Sequence, residues 1–218
     1  MRNRFDEQLA RLHQDLIQMG GLIEQAIETA CQALTSRSEP LAREVMAMEN
    51  KVDQMERDIE SMCLRLLLQQ QPVARDLRAI SAALKMITDM ERIGDQASDI
   101  SEIVVFLSRT DTFGEPDHFR AMADATVTMV HESIDAFVRR DCALAGEVVA
   151  MDDTVDELFT QVKRELIERI GREPQKGEEA MDLLMIAKYF ERIGDHAVNI
   201  AEWVEFSITG IHKGEDKA

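Results

Sequence analysis

The sequence predicts an all-α protein, built as two tandem three-helix bundles related by internal duplication, and three observations point there. Aromatic residues are 5% of the chain and Gly and Pro number 10 and 4, whereas Met reaches 13. That mixture suits helices packed with Leu, Ile, Met and Ala better than strands, which favour Val, Thr and aromatics. Six stretches carry apolar residues at helical spacing, each closed by a breaker. Finally, blocks of the first half return in the same order in the second.

In chain order, the first helix is expected over 5–36, ending before Ser38-Glu39-Pro40. The second spans 40–69 and stops at Gln71-Pro72, because Pro restricts the residue before it and lacks an N–H. The third spans 74–108 and runs into a polar stretch from Thr110 to Pro116. A fourth over 116–140 ends at Arg140-Asp141, a fifth covers 142–171, and Gly171 to Gly177 separates it from a sixth over 178–208. The break at Asp111-Thr112-Phe113-Gly114 lies near the middle of the chain. It divides a first unit, 1–110, from a second, 116–210, and leaves 211–218 as a polar tail.

The repeats place that division. Leu41-Ala42-Arg43-Glu44-Val45-Met46-Ala47-Met48 matches Leu144-Ala145-Gly146-Glu147-Val148-Val149-Ala150-Met151, and Val52-Asp53 matches Val155-Asp156 at the same offset of 103. On the third helix, Glu91-Arg92-Ile93-Gly94-Asp95 returns unchanged as Glu191-Arg192-Ile193-Gly194-Asp195, now at an offset of 100. Ala97/Ala197, Ile100/Ile200 and Glu102/Glu202 continue the echo. A shorter second hairpin loop accounts for the change in offset.

With 45% hydrophobic and 31% charged residues, the chain has the balance of a globular protein and the length to bury a core. Its net charge of −17 repels phosphate backbones and anionic headgroups, so no nucleic-acid partner and no direct membrane insertion are expected. It suits basic partners or metal ions, or serves solubility alone. Cys31, Cys63 and Cys142 show no C-x-x-C spacing, and the longest apolar run, Ile103 to Leu107, is far too short to span a bilayer. No secretory leader is legible after Met1, and a reducing cytoplasm is expected.

On a helical wheel, Met86, Met90, Ile93, Ala97, Ile100, Val104 and Leu107 share one face of the third helix, as do Ile186, Phe190, Ile193, Ala197, Ile200 and Val204 of the sixth. Opposite this core stripe, Glu91, Asp95, Asp99 and Glu102 occupy an arc of roughly 80°. Glu191, Asp195, Asn199 and Glu202 take the equivalent arc. A solvated acidic face is the plain reading. Against it, like charges at i and i+4 cost about a few tenths of a kcal/mol per pair, and the same arc carries Leu77, Ile80, Leu84 and Ile87 upstream.

The second helix adds a stripe of Glu49, Asp53, Glu56 and Glu60. An antiparallel turn centred on Pro72 brings Asp53 level with Glu91 and Glu49 level with Asp95. In the second copy, Asp156/Glu191 and Asp152/Asp195 share a midpoint in the Arg172 to Pro174 loop. Oxygen ligands gathered this way favour hard ions such as Mg²⁺, Mn²⁺, Ca²⁺ or iron. Gly94 and Gly194 cost about 1 kcal/mol each relative to Ala, which suggests close approach of another backbone or a ligand. Arg92 and Arg192 are placed to pair with these carboxylates or with a partner's anion. His196 matches Gln96 and is expected beside the ligands rather than among them.

The doubled Glu-Arg-Ile-Gly-Asp block, with Gln71-Pro72-Val73-Ala74-Arg75-Asp76-Leu77-Arg78 leading into the third helix, resembles the PhoU family of bacterial phosphate-transport regulators. The resemblance extends from Met19-Gly20-Gly21 to about residue 208. It implies two three-helix bundles with metal ions or clusters on the E-x-x-x-D faces, the ions being iron, Mn, Mg or Zn. Glu91, Asp95 and Asp99 with Glu191, Asp195 and Asn199 would be the ligands. It also implies restraint of the phosphate-starvation response through two partners, the phosphate transporter ATPase subunit and a membrane sensor histidine kinase. A homodimer is expected, cytoplasmic and reaching the inner face of the membrane through those partners. Asn199, an amide where the first copy has Asp99, argues against equal affinity of the two sites. Two rival readings are a helical-bundle carboxylate metalloenzyme and a structural adaptor with solvated acidic faces. The first needs Glu-x-x-His pairs in a bundle core, and the single such spacing is Glu115 to His118. No Ser or Cys sits in a nucleophile motif, so no enzymatic activity is expected.

Overall fold

The computed structural model describes residues 2–70, 72, 74–109 and 118–211. The described residues form six α-helices: α1 (Arg2–Ser36), α2 (Glu39–Gln70), α3 (Ala74–Leu107), α4 (Phe119–Arg139), α5 (Cys142–Arg172) and α6 (Gly177–Thr209). Among the described residues there is no strand, and no helix is long and apolar enough to cross a membrane. The division at Thr110–Pro116, the Glu115 of the Glu115/His118 spacing and most of the tail after 211 lie outside the described residues.

The helix bounds follow the sequence expectation closely, with two informative differences. α5 runs through Gly171 and stops at Glu173, because Pro174 follows; a single 3₁₀ turn, Pro174–Lys176, then feeds α6. α4 begins at Phe119 rather than 116, with His118 as its N-cap.

The corners reveal more of the duplication than the side-chain matches do. Arg37 ends α1 in the left-handed region with φ 52°, and Ser38 N–H donates to Ala33 O at 2.9 Å. Arg140 ends α4 in the same way with φ 59°, and Asp141 N–H donates to Ala136 O at 2.9 Å. Both are Schellman-type C-caps. The following residue then caps the next helix. Ser38 Oγ accepts from Leu41 N–H, and the Asp141 carboxylate accepts from Ala143 and Leu144 N–H. Arg37/Arg140 and Ser38/Asp141 keep the offset of 103.

α1–α3 pack together, as do α4–α6, and the two bundles join through α3 against α6 and α1 against α4. The α3–α6 contact is the most extensive of any helix pair. Its polar contacts exchange in pairs. Asp89 Oδ1 accepts from Asn199 Nδ2 at 3.0 Å, while Asp99 lies within hydrogen-bonding reach of the Tyr189 hydroxyl. Under the 100-residue offset each pair is the image of the other, so α3 and α6 run antiparallel and cross near Gly94 and Gly194, as a two-fold relation between the halves requires. The core is continuous across this seam: Ile80, Met86, Ile87, Met90 and Ile93 of α3 and Ile186, Phe190 and Ile193 of α6 are all buried.

Candidate metal centre

α2 and α3 meet closely where the acidic stripes face each other. Val52 of α2 is buried, and a Cβ added at Gly94 would stand 3.1 Å from Val52 Cγ1. Gly94 therefore makes room for the Val52 side chain of the neighbouring helix, rather than for another backbone. Beside this contact, Asp53 follows Val52 and Asp95 follows Gly94 directly, and Glu49 lies about one turn earlier on α2. Each offers one carboxylate oxygen, and the three oxygens lie within 4.8 Å of one another. All three residues are half-buried.

The electrostatics there are those of crowded, partly desolvated acids. Burial pushes the Glu49 carboxyl above its ordinary range, and Asp53, Asp95 and Glu102 push it further. Glu91 is raised by burial and then by Asp95, against Arg92, with Glu56 and Asp53 adding to it. Glu56 is raised by burial, Glu60 and Asp53. Arg92 offsets part of this repulsion, its Nη1 standing 3.1 Å from Asp95 Oδ2 and its Nε 3.5 Å from Glu91 Oε2. Arg57 lies 3.6 Å from Asp53.

The second copy keeps the frame and changes the chemistry. Val155 occupies the place of Val52, and a Cβ at Gly194 would meet Asp152 Oδ1 at 3.1 Å. That oxygen is buried and has no hydrogen-bond partner among the described residues. Burial first, then Asp156, Asp195, Glu191 and Asp153, raise the Asp152 carboxyl to about 6. Glu191 is held by the Lys188 ammonium, a lysine that the first copy replaces with Thr88. Further along α5, Phe159 and Lys163 stand where α2 has Glu56 and Glu60. Among the described residues, only the first copy draws three carboxylate oxygens this close together.

Asp99 and Asn199 also have partners on the opposite bundle. Asp99 is raised by burial, Glu102 and Asp95, and it is opposed by Arg192 and the Tyr189 hydroxyl, both from α6. Asn199 donates to Asp89, which also contacts His196 Nδ1 at 2.9 Å. Both positions therefore sit in the contact between the bundles, while Glu49, Asp53, Glu91 and Asp95 line the seam within the first bundle. Asp152, Asp156, Glu191 and Asp195 line the seam of the second. Lys188, Asp89 and Tyr189 were not singled out from the sequence. Comparing α3 and α6 at the 100-residue offset would have flagged Lys188 against Thr88, but nothing local marks Asp89. His118, the histidine of the metalloenzyme spacing, pairs with Glu165 of α5 at 3.0 Å.

A hard cation fits this donor set. The oxygens of Glu49, Asp53 and Asp95 are close enough to share one ion, and the orphaned Asp152 Oδ1 is a buried acceptor that a cation would satisfy.

Comparison with known proteins agrees with the fold and the repeat. The pattern of the PhoU domain matches residues 16–104 and again 119–204. The chain is 36% identical over 186 residues to the phosphate-specific transport system accessory protein PhoU homolog of Aquifex aeolicus, covering 85% of this chain and 84% of that protein. It superposes on the crystal structure of PhoU from Pseudomonas aeruginosa with a TM-score of 0.88 at 35% identity, over 95% of this chain and 100% of that one. The phosphate transport system regulatory protein PhoU from Streptococcus pneumoniae, at 24% identity and a TM-score of 0.87, shares the fold over 96% of this chain and 99% of its own.

Proposed function

The chain belongs to the PhoU domain family, and from that premise we propose that it is a regulatory, metal-binding accessory protein of phosphate uptake, not an enzyme. Its relatives are named as accessory proteins of the phosphate-specific transport system. By that kinship it restrains the phosphate-starvation response through the transporter ATPase subunit and a membrane sensor histidine kinase. It works as a homodimer in the cytoplasm and reaches the inner face of the membrane through those partners. We place the units of the duplication at 1–110 and 116–210.

The observation that carries the metal reading is the gathering of Glu49, Asp53 and Asp95 oxygens within 4.8 Å. A hard ion (iron, Mn, Mg or Zn) bound there supplies positive charge that neutralises the crowded carboxylates and ties α2 to α3. Glu49 and Asp53 hold from one helix, Asp95 and Glu91 from the other, and Arg92 keeps the α3 carboxylates in place. Asp152 and Asp156 with Glu191 and Asp195 do the same between α5 and α6, with Lys188 competing for Glu191. Asp99 and Asn199, also implied as ligands, contribute from the edge that faces the opposite bundle.

Elemental analysis of the purified protein, with melting in chelator and after adding back Mn²⁺, Fe or Mg²⁺, tests the reading. Bound metal and a raised melting temperature are expected. A protein that holds no metal and melts alike in all conditions would leave only the solvated-face interpretation.

A further inference from the structure

Away from the carboxylate seams, one end of the molecule gathers positive charge in a chain of net charge −17. α3 begins there with Arg75 and Arg78, α6 finishes there at Gly210, and the corner between α4 and α5 brings in Arg140. The Arg78 side chain lies along the end of α6: its Cδ, Nε and Cζ are 3.5, 3.5 and 3.6 Å from where a Cβ on Gly210 would stand. Gly210, at φ 79°, leaves room for that approach. Arg78 Nε is buried and has no hydrogen-bond partner among the described residues. Arg140 is fixed by its left-handed cap, φ 59° and ψ 48°, with its N–H committed to the end of α4.

The three guanidinium groups are close enough to act on one another, since burial, then Arg75 and Arg78, weaken the hold of Arg140 on its proton. Among the described residues none of the three forms an ion pair, whereas the adjacent Arg139 is tied to Asp135 at 2.9 Å. Acids stand near the cluster as well, Glu205 of α6 among them, which acts with Asp141 and Arg140 on Cys142 at the same corner. Asp76 offsets part of the charge at Arg140, and the Asp141 carboxylate is taken up in capping α5. The opposite end of the molecule is different: Gln175 and Glu178 stand where Arg75 and Arg78 do, so the cluster belongs to one end alone.

We propose that Arg75, Arg78 and Arg140 form a binding site for a phosphoryl oxyanion, built between the start of α3, the end of α6 and the α4–α5 corner. Guanidinium groups present paired N–H donors that match the oxygens of a tetrahedral anion, and they stay protonated when crowded. The N-terminal end of α3 adds its own positive dipole, which is opposed by the C-terminal ends of α4 and α6 at the same place, so the arginines must carry the attraction. An anion there relieves the mutual repulsion and gives the orphaned Arg78 Nε an acceptor. Two sources share this chemistry: free phosphate, and a phospholipid headgroup, for which the exposed Leu77 and Ile211 beside the cluster would supply apolar contact. The site does not rest on the metal reading of the carboxylates.

The test uses the full chain in chelator, so that phosphate cannot bind through an ion. Inorganic phosphate is titrated against chloride at matched ionic strength, and vesicles of phosphatidylcholine are compared with vesicles containing phosphatidic acid. The variants are Arg75→Gln and Arg140→Gly, the latter suited to its left-handed backbone, with Arg139→Gln as control. Binding of free phosphate that weakens about tenfold or more in the two variants and not in the control supports the site with phosphate as its ligand. Binding confined to the phosphatidic-acid vesicles, with the same pattern of loss, supports it with a headgroup as its ligand. No binding in either arm, or binding that Arg75→Gln and Arg140→Gly leave unchanged, overturns it. Neither failure touches the metal sites, whose test is separate.

Discussion

At the scale of single residues, two positions show how tightly the halves are built. Asp152 has its carboxyl raised from 3.8 to about 6 by burial and by four other acids. A carboxyl raised on folding stabilises the folded apoprotein fully below pH 3.8, and that contribution is lost as pH rises through about 6. Asp152→Asn should therefore gain stability over the parent in chelator at pH 7 and lose the advantage near pH 4. Melting curves across that range check the sign. Gly94 has room for a hydrogen and little else: a Cβ there would lie 3.1 Å from Val52 Cγ1. Gly94→Ala is expected to cost about 1–3 kcal/mol through overpacking, measured by urea unfolding, despite the better helix propensity of Ala.

At the scale of elements, the third helix of each copy separates core from chemistry. Asp95 and Asp195 lie away from the buried stripe of Ile93, Ala97 and Ile100 or Ile193, Ala197 and Ile200. Replacing both by Ala should leave the apoprotein within about 0.5 kcal/mol of the parent. It should remove the added stability that saturating metal supplies, about 2.7 kcal/mol at a hundredfold excess over Kd. Unfolding of the variant in chelator would mean that these carboxylates hold the fold itself. The two seams should also differ. The first has Glu56, Glu60 and Asp99, where the second has Phe159, Lys163 and Asn199, and Lys188 already occupies Glu191. A calorimetric titration is expected to show two classes of site, the tighter one lost with Asp53→Asn and the weaker with Asp156→Asn.

At the scale of the whole molecule, the α3–α6 seam makes each half dependent on the other. α3 packs against α1, α2 and α6 at once, and its buried residues run around most of its circumference, from Ala79 to Leu107. A chain of residues 1–110 alone would expose the face that α6 covers. It should dimerise, aggregate or bind a hydrophobic dye, and mixing with 116–210 should restore a soluble complex. Size-exclusion chromatography of the pieces, alone and mixed, decides this. A stable, monomeric half with a cooperative melt would show that each bundle is self-sufficient.

The six helices, their bounds to within a few residues, the repeat and the levels at which Glu49 meets Asp95 were legible in the sequence. Each of these depends on local spacing: 3.6 residues per turn sets the faces, and one short hairpin sets the register of two neighbouring helices. Tertiary structure decided which faces of the two bundles meet. Asp89 and Asn199 are 110 residues apart in the chain, and no local pattern signals their contact. That choice draws Asp99 and Asn199 toward the seam between the bundles, although they share a wheel position with Glu91 and Asp95. It also brings Arg140 to Arg75 and Arg78, three arginines that look unrelated in the sequence. Short-range geometry fixes what each helix presents, and burial shared across the whole chain fixes what it is presented to.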